Sequence, residues 1–296
     1  MEEPVNASRM TQRYVQKREA ILHEAARLFN ARGMKGATLS DVATAVGLST
    51  NSITYYYKKK EDLVVACLLR SIETVSGIIA QAAEEPAPEG RVRSFVRLFL
   101  ARLAETATGG ASEMMTFRDV HVLGSPHSEV VFAAYIEMFR SCRRLLLLGP
   151  IKPARRLSLN ARTHLLLTLT LWTMSWSGRY DPEDFGIAAK RMGDILIGGI
   201  RSGKSAWRLG ALDTALTAPP MAGDSAQDAF LRAATALINE QGYRGASVER
   251  ISARLNVTKG AFYHHNPNKE DLIAACFERK FTVIREMQRV AMASGG

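Results

Sequence analysis

The chain has 296 residues, of which 47% are apolar and 23% are charged. It is therefore long enough for two or three compact units, and its composition excludes a chain that is disordered throughout. The net charge of +10 suits a polyanionic partner. Charge alone bears on solubility and non-specific binding and identifies no fold.

The start of the chain and its cysteines indicate a reducing compartment. The first residues have no basic segment followed by an apolar one, so we expect no secretory signal. The longest apolar run, 165–176, is too short to span a bilayer. Three cysteines, Cys67, Cys142 and Cys276, have no metal-ligand or redox spacing. We therefore expect a cytoplasmic protein with reduced thiols and no membrane partner.

A segment near the start is repeated without a gap 209 residues later. When residues 20–67 are aligned with residues 229–276, 14 of the 48 positions are identical. In the first copy these positions are Ala20, Leu22, Ala25, Leu28, Asn30, Gly33, Gly36, Ala37, Lys60, Glu61, Asp62, Leu63, Ala66 and Cys67. An internal duplication of this kind indicates that one structural unit occurs twice.

The first copy begins with two predicted helices. Apolar residues recur with a period of 3.6 over 17–31, which predicts an amphipathic helix. Gly33 is predicted to end it by adopting a positive φ. Thr38, with Asp41 three residues later, is predicted to cap the second helix. Gly47 then permits a tight turn.

A short third helix and a longer fourth helix follow. Ser49 is predicted to cap the third helix, which runs through Tyr57, and Lys60 opens the fourth, which continues to about residue 83. The corresponding positions of the second copy are Gly242, Ser247, Asn256, Thr258 and Lys269. Asn256 replaces the turn glycine, which asparagine can do because it tolerates the left-handed region.

A short helix, a turn with glycine and a second short helix form a helix-turn-helix, whose second helix fits the major groove of DNA. Residues 33–49 (GMKGATLSDVATAVGLS) and 260–272 (GAFYHHNPNKEDL) resemble the TetR family of bacterial repressors. The resemblance implies an all-α protein with an N-terminal three-helix helix-turn-helix head, a helical ligand-binding and dimerisation core, and a second helix-turn-helix head. It also implies a sequence-specific DNA-binding transcriptional regulator, a repressor released by a small-molecule effector.

The same resemblance implies which side chains contact DNA. Thr38 and Ser40 are expected near phosphate, and Tyr56 and Lys60 are expected to contact the backbone. The base-reading face of the first head is expected to comprise Thr50, Asn51, Ser52 and Tyr55. The matching set of the second head is Ser247, Lys259, Gly260, Ala261, Tyr263, His264, His265 and Lys269. Basic residues of the N-terminal arm, which either reach DNA or stay solvated, are Arg9, Arg13, Lys17 and Arg18.

Each head departs from the family pattern. The first has Asn51 where glycine is common and Thr54 where tyrosine is usual. The second has Asn266 where an aromatic residue normally anchors the third helix, followed by Pro267. Two alternatives stay open for each head: a DNA-binding unit, or a three-helix packing unit that does not touch DNA. For the second head the alternative includes a protein-interaction or dimerisation module.

The middle of the chain predicts an all-α bundle. Helical stretches are expected at 91–107, 113–123, 128–148, 160–178 and 184–201, separated by glycine and proline breaks. Stretches 160–178 and 184–201 are apolar over much of their circumference, which predicts burial on more than one side. The resemblance implies that this pair joins two chains into a homodimer, and the alternative is that both are internal core helices.

A cavity for an apolar or aromatic effector is predicted among helices 91–148 and 160–178. Its candidate lining residues are Phe95, Phe99, Met114, Met115, Phe117, His121, Phe132, Tyr135, His164, Trp172 and Trp176. We expect no metal site and no cofactor, and no enzyme, because no phosphate loop, nucleophile elbow or metal-ligand spacing occurs.

Four segments are predicted. They are a first head at 1–65, a core at 66–201, a linker at 202–226 and a second head at 227–296.

Overall fold

The computed structural model describes residues 3–118, 120–150, 156–199, 226–265 and 267–293. Within these ranges the chain forms only helices, turns and loops, which confirms the predicted all-α class. The chain divides into two compact units, residues 1–202 and 203–296. Nearly all of the predicted linker at 202–226 lies outside the described residues, and the other predicted domain boundaries stay predictions.

The first head contains α1 (Glu3–Gly36), α2 (Leu39–Ala45) and α3 (Thr50–Tyr56). The helix predicted at 17–31 is the middle of the longer α1, which is interrupted at Gly33, where φ is 71°. The capping box predicted for Thr38 is confirmed: Thr38 Oγ1 accepts from the Asp41 backbone N–H at 3.1 Å, and the Thr38 N–H donates to the Asp41 carboxylate at 2.8 Å. Gly47 turns the chain with a φ of 66°.

The fourth helix, α4 (Lys60–Ala82), is the central element of the first unit. It packs against α1, α5 (Pro88–Ala107) and α6 (His127–Leu145). Among the described residues it is the one helix long and apolar enough to cross a membrane by length and composition. Its side chains Leu63, Leu68 and Val75 are buried beneath the neighbouring helices. The apolar residues of α4 therefore form part of the core of a helical bundle.

Two further helices complete the first unit, α7 (Arg156–Trp176) and α8 (Phe185–Gly198). Both occur where helices were predicted, at 160–178 and 184–201, and both pack against α5. The Arg93 guanidinium of α5 forms an ion pair with Asp194 of α8 at 2.5 Å. Each helix nevertheless keeps part of its apolar surface exposed, including Trp172 on α7 and Ile187 on α8.

The helix predicted at 113–123 is wrong. Residues 112–118, here called the strap, form no helix, and only Val120–Val122 make a short 3₁₀ turn. The strap backbone instead bonds to side chains of α1 and α4: Thr116 N–H donates to Asn30 Oδ1 at 2.8 Å, and Met115 N–H donates to Ser71 Oγ at 2.8 Å. These long-range bonds replace those of a helix, and they could not be read from local periodicity.

The second unit repeats the head with α9 (Ala226–Gly245), α10 (Val248–Arg254), α11 (Lys259–His265) and α12 (Lys269–Ala293). Its small core surrounds Phe262, which is fully buried and meets Phe230 edge to face with ring centroids 5.7 Å apart. The predicted cap at Ser247 is confirmed, and Asn256 adopts the predicted left-handed backbone with a φ of 53°. Gly242 interrupts α9 as Gly33 interrupts α1.

One tertiary contact is reproduced at the same spacing in both heads. The Cys67 thiol donates to the carbonyl of Leu22 at 3.7 Å, and the Cys276 thiol donates to the carbonyl of Leu231 at 3.5 Å. In each case the fourth helix of the head is joined to the first, 45 residues earlier. The duplication in the sequence is therefore also a duplication of packing.

Candidate nucleic-acid interface

Helix α3 presents one polar side to solvent and one apolar side to the head. Ile53 is completely buried, whereas Thr50 and Asn51 are exposed and Tyr55 is 76% exposed. Because Asn51 and Tyr55 are four residues apart, they lie on the same side of the helix. A buried anchor with a polar side facing outward is the arrangement that lets a short helix enter a groove.

Ser52 has a different position from the one expected of a base-reading residue. It is half-buried, its N–H donates to Ser49 Oγ at 3.2 Å, and the two hydroxyls are 2.9 Å apart. Thr54 is also half-buried and donates its hydroxyl proton to the carbonyl of Asn51 at 2.9 Å. Ser52 therefore takes part in the helix cap, and the exposed polar surface of α3 is formed by Thr50, Asn51 and Tyr55.

A tyrosine cluster joins α3 to α1. The Tyr14 ring stacks on Tyr56 with centroids 4.9 Å apart, and it meets Tyr55 edge to face at 6.4 Å. Tyr55 and Tyr56 also meet edge to face, at 5.3 Å. Tyr14 was missed in the sequence because it precedes the duplicated segment and has no helix-turn-helix position. The cluster fixes the side chains of two residues that were expected at the DNA.

The entry of α2 exposes Thr38 and Ser40, as a phosphate contact requires. The Thr38 hydroxyl already donates to the Asp41 carboxylate at 2.6 Å, so its proton is engaged within the head. This hydrogen bond, followed by that from the Thr38 N–H and the charge of Arg32, lowers the pKa of Asp41. The Ser40 side chain is therefore the better placed of the two to donate to an external acceptor.

Lys60 is half-buried at the first position of α4. The start of that helix is fixed because the Asp62 carboxylate accepts from the Lys59 N–H at 3.0 Å and lies 3.1 Å from His127 Nε2. The hydrogen bond from His127 is the main cause that lowers the pKa of Asp62. Since His127 begins α6, this pair connects the base of the first head directly to the core.

In the second head, Lys259, Gly260, Tyr263 and His264 are exposed on or beside α11. Ala261 and Lys269 are half-buried. Ser247 is half-buried too, and its hydroxyl caps α10 by accepting from the Arg250 N–H at 3.4 Å. The side chains of His265 and of the predicted arm residue Arg9 lie outside the described residues, and so does the whole of Asn266.

The two heads differ in charge at one corner of this surface. Lys259 Nζ lies 2.5 Å from Glu249 Oε1. At the corresponding positions the first head has the uncharged Thr50 and Ser40. The hydrogen bond from Lys259 is the main cause that lowers the pKa of Glu249 to about 2. An ionised carboxylate at this corner repels other anions, and the first head has no charge there. The charge change at residue 249 was visible in the alignment of the two copies, but its pairing was not.

The residues predicted to line an effector cavity are dispersed. Phe95 and Phe99 are fully buried in the main core, whereas His164 and Phe132 are exposed and Trp172 is 62% exposed. Phe117 and Tyr135 are half-buried and meet edge to face at 5.7 Å, and Met115 is buried in the core. Trp176 is half-buried and packs on Tyr180 at 5.4 Å, and the side chain of His121 lies outside the described residues.

A groove of about 510 Å³ lies at one end of the core. The strap forms one wall, and the end of α7 with the turn that follows it forms another. Of the predicted lining residues it includes only Met114, together with Asn30 of the first head. No group of three or more His, Cys, Asp or Glu side chains able to hold a metal ion occurs in the described part of the chain.

Comparison with known proteins gives matches at both heads. Residues 21–67 and 230–276 each match the family described as bacterial regulatory proteins, tetR family. The Transposon Tn10 TetC protein of Escherichia coli is 40% identical over 60 residues, which are 20% of this chain and 30% of that protein. The HTH-type transcriptional regulator RutR of Escherichia coli K12 is 30% identical over 84 residues, 28% of this chain and 40% of that protein.

A solved structure extends the likeness beyond the heads. A TetR-family transcriptional regulator from Bordetella parapertussis 12822 is 25% identical and superposes with a TM-score of 0.51. The superposition covers 64% of this chain and 98% of that one. In contrast, this chain spans less than half the length of the two curated relatives.

Proposed function

We propose that this chain is a sequence-specific DNA-binding transcriptional regulator of the TetR family, because the family's N-terminal domain matches residues 21–67 and 230–276. The observation that carries this proposal is α3, which is capped by Ser49, anchored by the buried Ile53, and exposes Asn51 and Tyr55 to solvent. In this role α3 enters the major groove, and Asn51 and Tyr55 contact base edges. The protein is cytoplasmic and its action requires no reaction chemistry.

Phosphate contacts position α3 on the duplex. Ser40 at the start of α2 and Lys60 at the start of α4 supply them, and backbone N–H groups at these helix N-termini add to the attraction. Tyr56 is held by the stacked Tyr14 ring at the edge of the same surface. Lys60 contributes to affinity for all sequences, whereas Asn51 and Tyr55 contribute to the choice of sequence.

The chain acts as a homodimer through α7 and α8. Leu165, Leu169 and Trp172 recur at spacings of four and three residues on α7, and they are 57%, 38% and 62% exposed. On α8, Ile187 and Ile195 are exposed as well. Rows of exposed apolar side chains on helices mark surfaces for association. A two-fold pair places two α3 helices about 34–36 Å apart, the spacing of successive major grooves on one face of DNA.

Regulation by a small-molecule effector completes the proposal. An effector in the core favours a conformation in which the two α3 helices no longer match that spacing, so the protein is a repressor that leaves its operator when the effector binds. The groove beside the strap supports this role because its lining includes Asn30 from α1 of the first head.

The second head has two candidate roles. If it binds DNA, it extends the footprint, and tethering raises its local concentration at the operator. The alternative is pairing with the second head of another copy. The exposed apolar side chains of α12, Phe277, Phe281 and Ile284, favour the alternative, as does the carboxylate of Glu249 on the DNA-facing side. In the first copy the positions equivalent to Phe277 and Phe281 are Leu68 and Ile72, which are buried under the core.

Selection of duplexes from a random-sequence library by the full chain tests the proposal. We expect enrichment of a palindrome whose half-sites are about 10 base pairs apart, centre to centre. The double variant Asn51→Ala/Tyr55→Ala should lose this enrichment, and Gln81→Ala, an exposed change at the far end of α4, should keep it. Failure to enrich any sequence, or the same motif from the double variant, would refute the proposal.

The same experiment separates the roles of the second head. A DNA-binding second head adds a further conserved block to the selected sites, and the variant Lys259→Ala/Tyr263→Ala removes that block alone. A pairing module leaves the selected sites unchanged in that variant. In the pairing role, Phe281→Glu lowers the mass of the chain's assemblies in solution without changing the motif.

A further inference from the structure

We propose that the groove between the strap and the end of α7 binds a small amphiphilic organic acid, and that Asn30 transmits its binding to the first head. The second part of this proposal, the transmission to DNA binding, rests on the proposed function. The first part, the chemistry of the ligand, stands on the lining of the groove.

The groove has the size and the mixed lining of a ligand site. Its volume of about 510 Å³ falls within the range of about 300–1,000 Å³ that is usual for such sites. Leu103, Met114 and Phe185 supply buried apolar surface, while Ser177 and Tyr180 supply hydroxyl groups. A ligand with an apolar body and a polar end matches both parts of this lining.

Arg118 determines the charge of that polar end. Its guanidinium belongs to the lining and is exposed, and within the described part of the chain its one hydrogen-bond contact is a long one of 3.5 Å from Nη2 to Ser175 Oγ. The acidic side chain of the lining, Glu113, already accepts a hydrogen bond from Asn30 Nδ2 at 3.0 Å. A guanidinium binds a carboxylate with two parallel hydrogen bonds. The site therefore suits a carboxylic acid better than a neutral or cationic molecule.

Asn30 connects this groove to the head. It belongs to α1, and all the polar atoms of its side chain bond to the strap: Oδ1 accepts from the Thr116 N–H, while Nδ2 donates to the Glu113 carboxylate and, at 2.8 Å, to the Met114 carbonyl. Glu113, Met114 and Thr116 also line the groove. A ligand that moves the strap therefore breaks or shifts bonds that hold α1.

Two further bonds hold the same strap to the base of the head. The Glu113 N–H donates to His23 Nδ1 of α1 at 3.0 Å, and the Arg70 guanidinium of α4 donates to the Glu113 carbonyl at 2.7 Å. The strap is thus hydrogen-bonded to α4 and to α1, and α1 packs against α2 and carries the Tyr14 ring that stacks on Tyr56 of α3. In the second head the residue equivalent to Asn30 is Asn239, which is exposed.

The test of the ligand uses the full chain with octanoate and, as a neutral match, 1-octanol. Binding is followed by tryptophan fluorescence, because Trp176 packs on the lining residue Tyr180. We expect octanoate to bind at least about tenfold more tightly than octanol, the effect of one charge-assisted bond. Arg118→Gln should abolish this preference and Arg118→Lys should keep part of it. No octanoate binding at millimolar concentration, or equal binding of the two probes, overturns the proposal.

The test of transmission uses the duplex selected with the wild-type chain. Octanoate should weaken its binding by a factor in the range of about 5–150, the usual size of such couplings. Asn30→Ala should bind octanoate as the wild type does but lose this effect, and the matched variant Asn239→Ala should retain it. If Asn30→Ala fails to fold, His23→Ala, which removes one bond, should reduce the effect.

The outcomes of the two tests are distinguishable. The proposed transmission through Asn30 is overturned if octanoate weakens DNA binding of Asn30→Ala as much as that of the wild type. If Asn30→Ala is unfolded, the same result in His23→Ala overturns it. A chain that binds octanoate through Arg118 but enriches no DNA contradicts the proposed function and leaves the chemistry of the groove supported.

Discussion

Lys259 and Glu249 form an ion pair of 2.5 Å across the start of α10 and α11, at the corner where the first head has two hydroxyl side chains. The pair occupies the positions of Ser40 and Thr50, which the proposed function places at the DNA in the first head. Its carboxylate directs negative charge towards a bound phosphate and engages the lysine that would neutralise that phosphate. The two heads therefore share a fold but differ in their electrostatic suitability for DNA.

Replacing Glu249 by the serine of the first head should release this lysine. We expect Glu249→Ser, in a chain whose first head carries Asn51→Ala/Tyr55→Ala, to bind duplex DNA more tightly and with a salt slope steeper by about 0.9, the effect of one added phosphate contact. Because the pKa of Glu249 is lowered to about 2, the carboxylate is ionised throughout the neutral range. The gain should therefore not vary with pH between about 5 and 8.

Fluorescence anisotropy with a labelled duplex at several salt concentrations measures this slope. Glu240→Ser is the matched control, since it removes an acid of the same head that pairs with Arg254 instead. An equal increase of DNA affinity in Glu249→Ser and Glu240→Ser would mean that the net charge of the head determines the affinity and that the Lys259–Glu249 ion pair has no specific effect.

Tyr14 should act on DNA binding through its neighbours. Tyr14→Ala removes the ring that stacks on Tyr56 and meets Tyr55, and aromatic pairs of this kind contribute about 0.5–1.5 kcal/mol. We expect up to about a tenfold loss of affinity for the selected duplex. Tyr14→Phe keeps the ring and should bind like the wild type. A similar loss in Tyr14→Phe would indicate that the hydroxyl contacts DNA and that the ring does not act as a support.

The sequence was sufficient where short-range rules decide the structure. Thr38, Ser49 and Ser247 were assigned as helix caps from their spacing, and all three have that role. The duplication also placed both heads, because local caps and turn residues repeat with the fold. Helix caps and turns can be predicted in this way because each depends on residues only three or four positions apart.

Long-range contacts explain what the sequence did not give. The strap was predicted as helix because its residues have ordinary helical patterning, but its backbone is bonded to Asn30 and Ser71, which are 86 and 44 residues away. The predicted lining of an effector cavity shares Met114 with the groove, and long-range packing again decides which residues border that groove. The aromatic content of a sequence does not distinguish residues that fill the core, such as Phe95, from residues that line a groove.

Lys60 should contribute to DNA affinity without contributing to sequence choice. We expect Lys60→Ala to weaken binding to the selected duplex and to unrelated duplexes by similar factors and to reduce the salt slope by about one. Lys269→Ala should do the same only if the second head binds DNA. Arg144→Ala removes an equal charge from an exposed position near the end of α6, outside the head and the proposed seam, and is the control. If Lys60→Ala leaves the salt slope unchanged, the assigned phosphate contact is wrong.

Trp172 should be needed for pairing of two chains. It is the largest exposed apolar side chain on α7, and a glutamate there would place a charge inside the proposed seam. We expect Trp172→Glu to be a monomer by sedimentation equilibrium and to lose most of its affinity for a palindrome, which needs two heads. Leu148→Glu, an exposed leucine outside the two helices, is the control. A dimeric Trp172→Glu would show that pairing uses another surface.

The three thiols should differ in reactivity because burial differs among them. Burial raises the pKa of both Cys67 and Cys142 to about 12, whereas Cys276 is only half-buried. The thiolate is the reactive species, so a raised pKa suppresses reaction at all pH values below it. At pH 8 we expect an aromatic disulfide reagent to modify the half-buried Cys276 first and the two buried thiols much more slowly, because very little of either buried thiol is ionised at that pH.

The absorbance of the released thiol gives the number of groups in each phase, and the variant Cys276→Ser should remove the fast phase alone. The slow phase should accelerate as pH rises towards 12 or when denaturant unfolds the first unit, since both increase the thiolate that the reagent can reach. A fast phase that persists in Cys276→Ser would place an accessible thiol in the core of the first unit. That result would contradict the complete burial of either Cys67, whose thiol donates to Leu22, or Cys142 of α6.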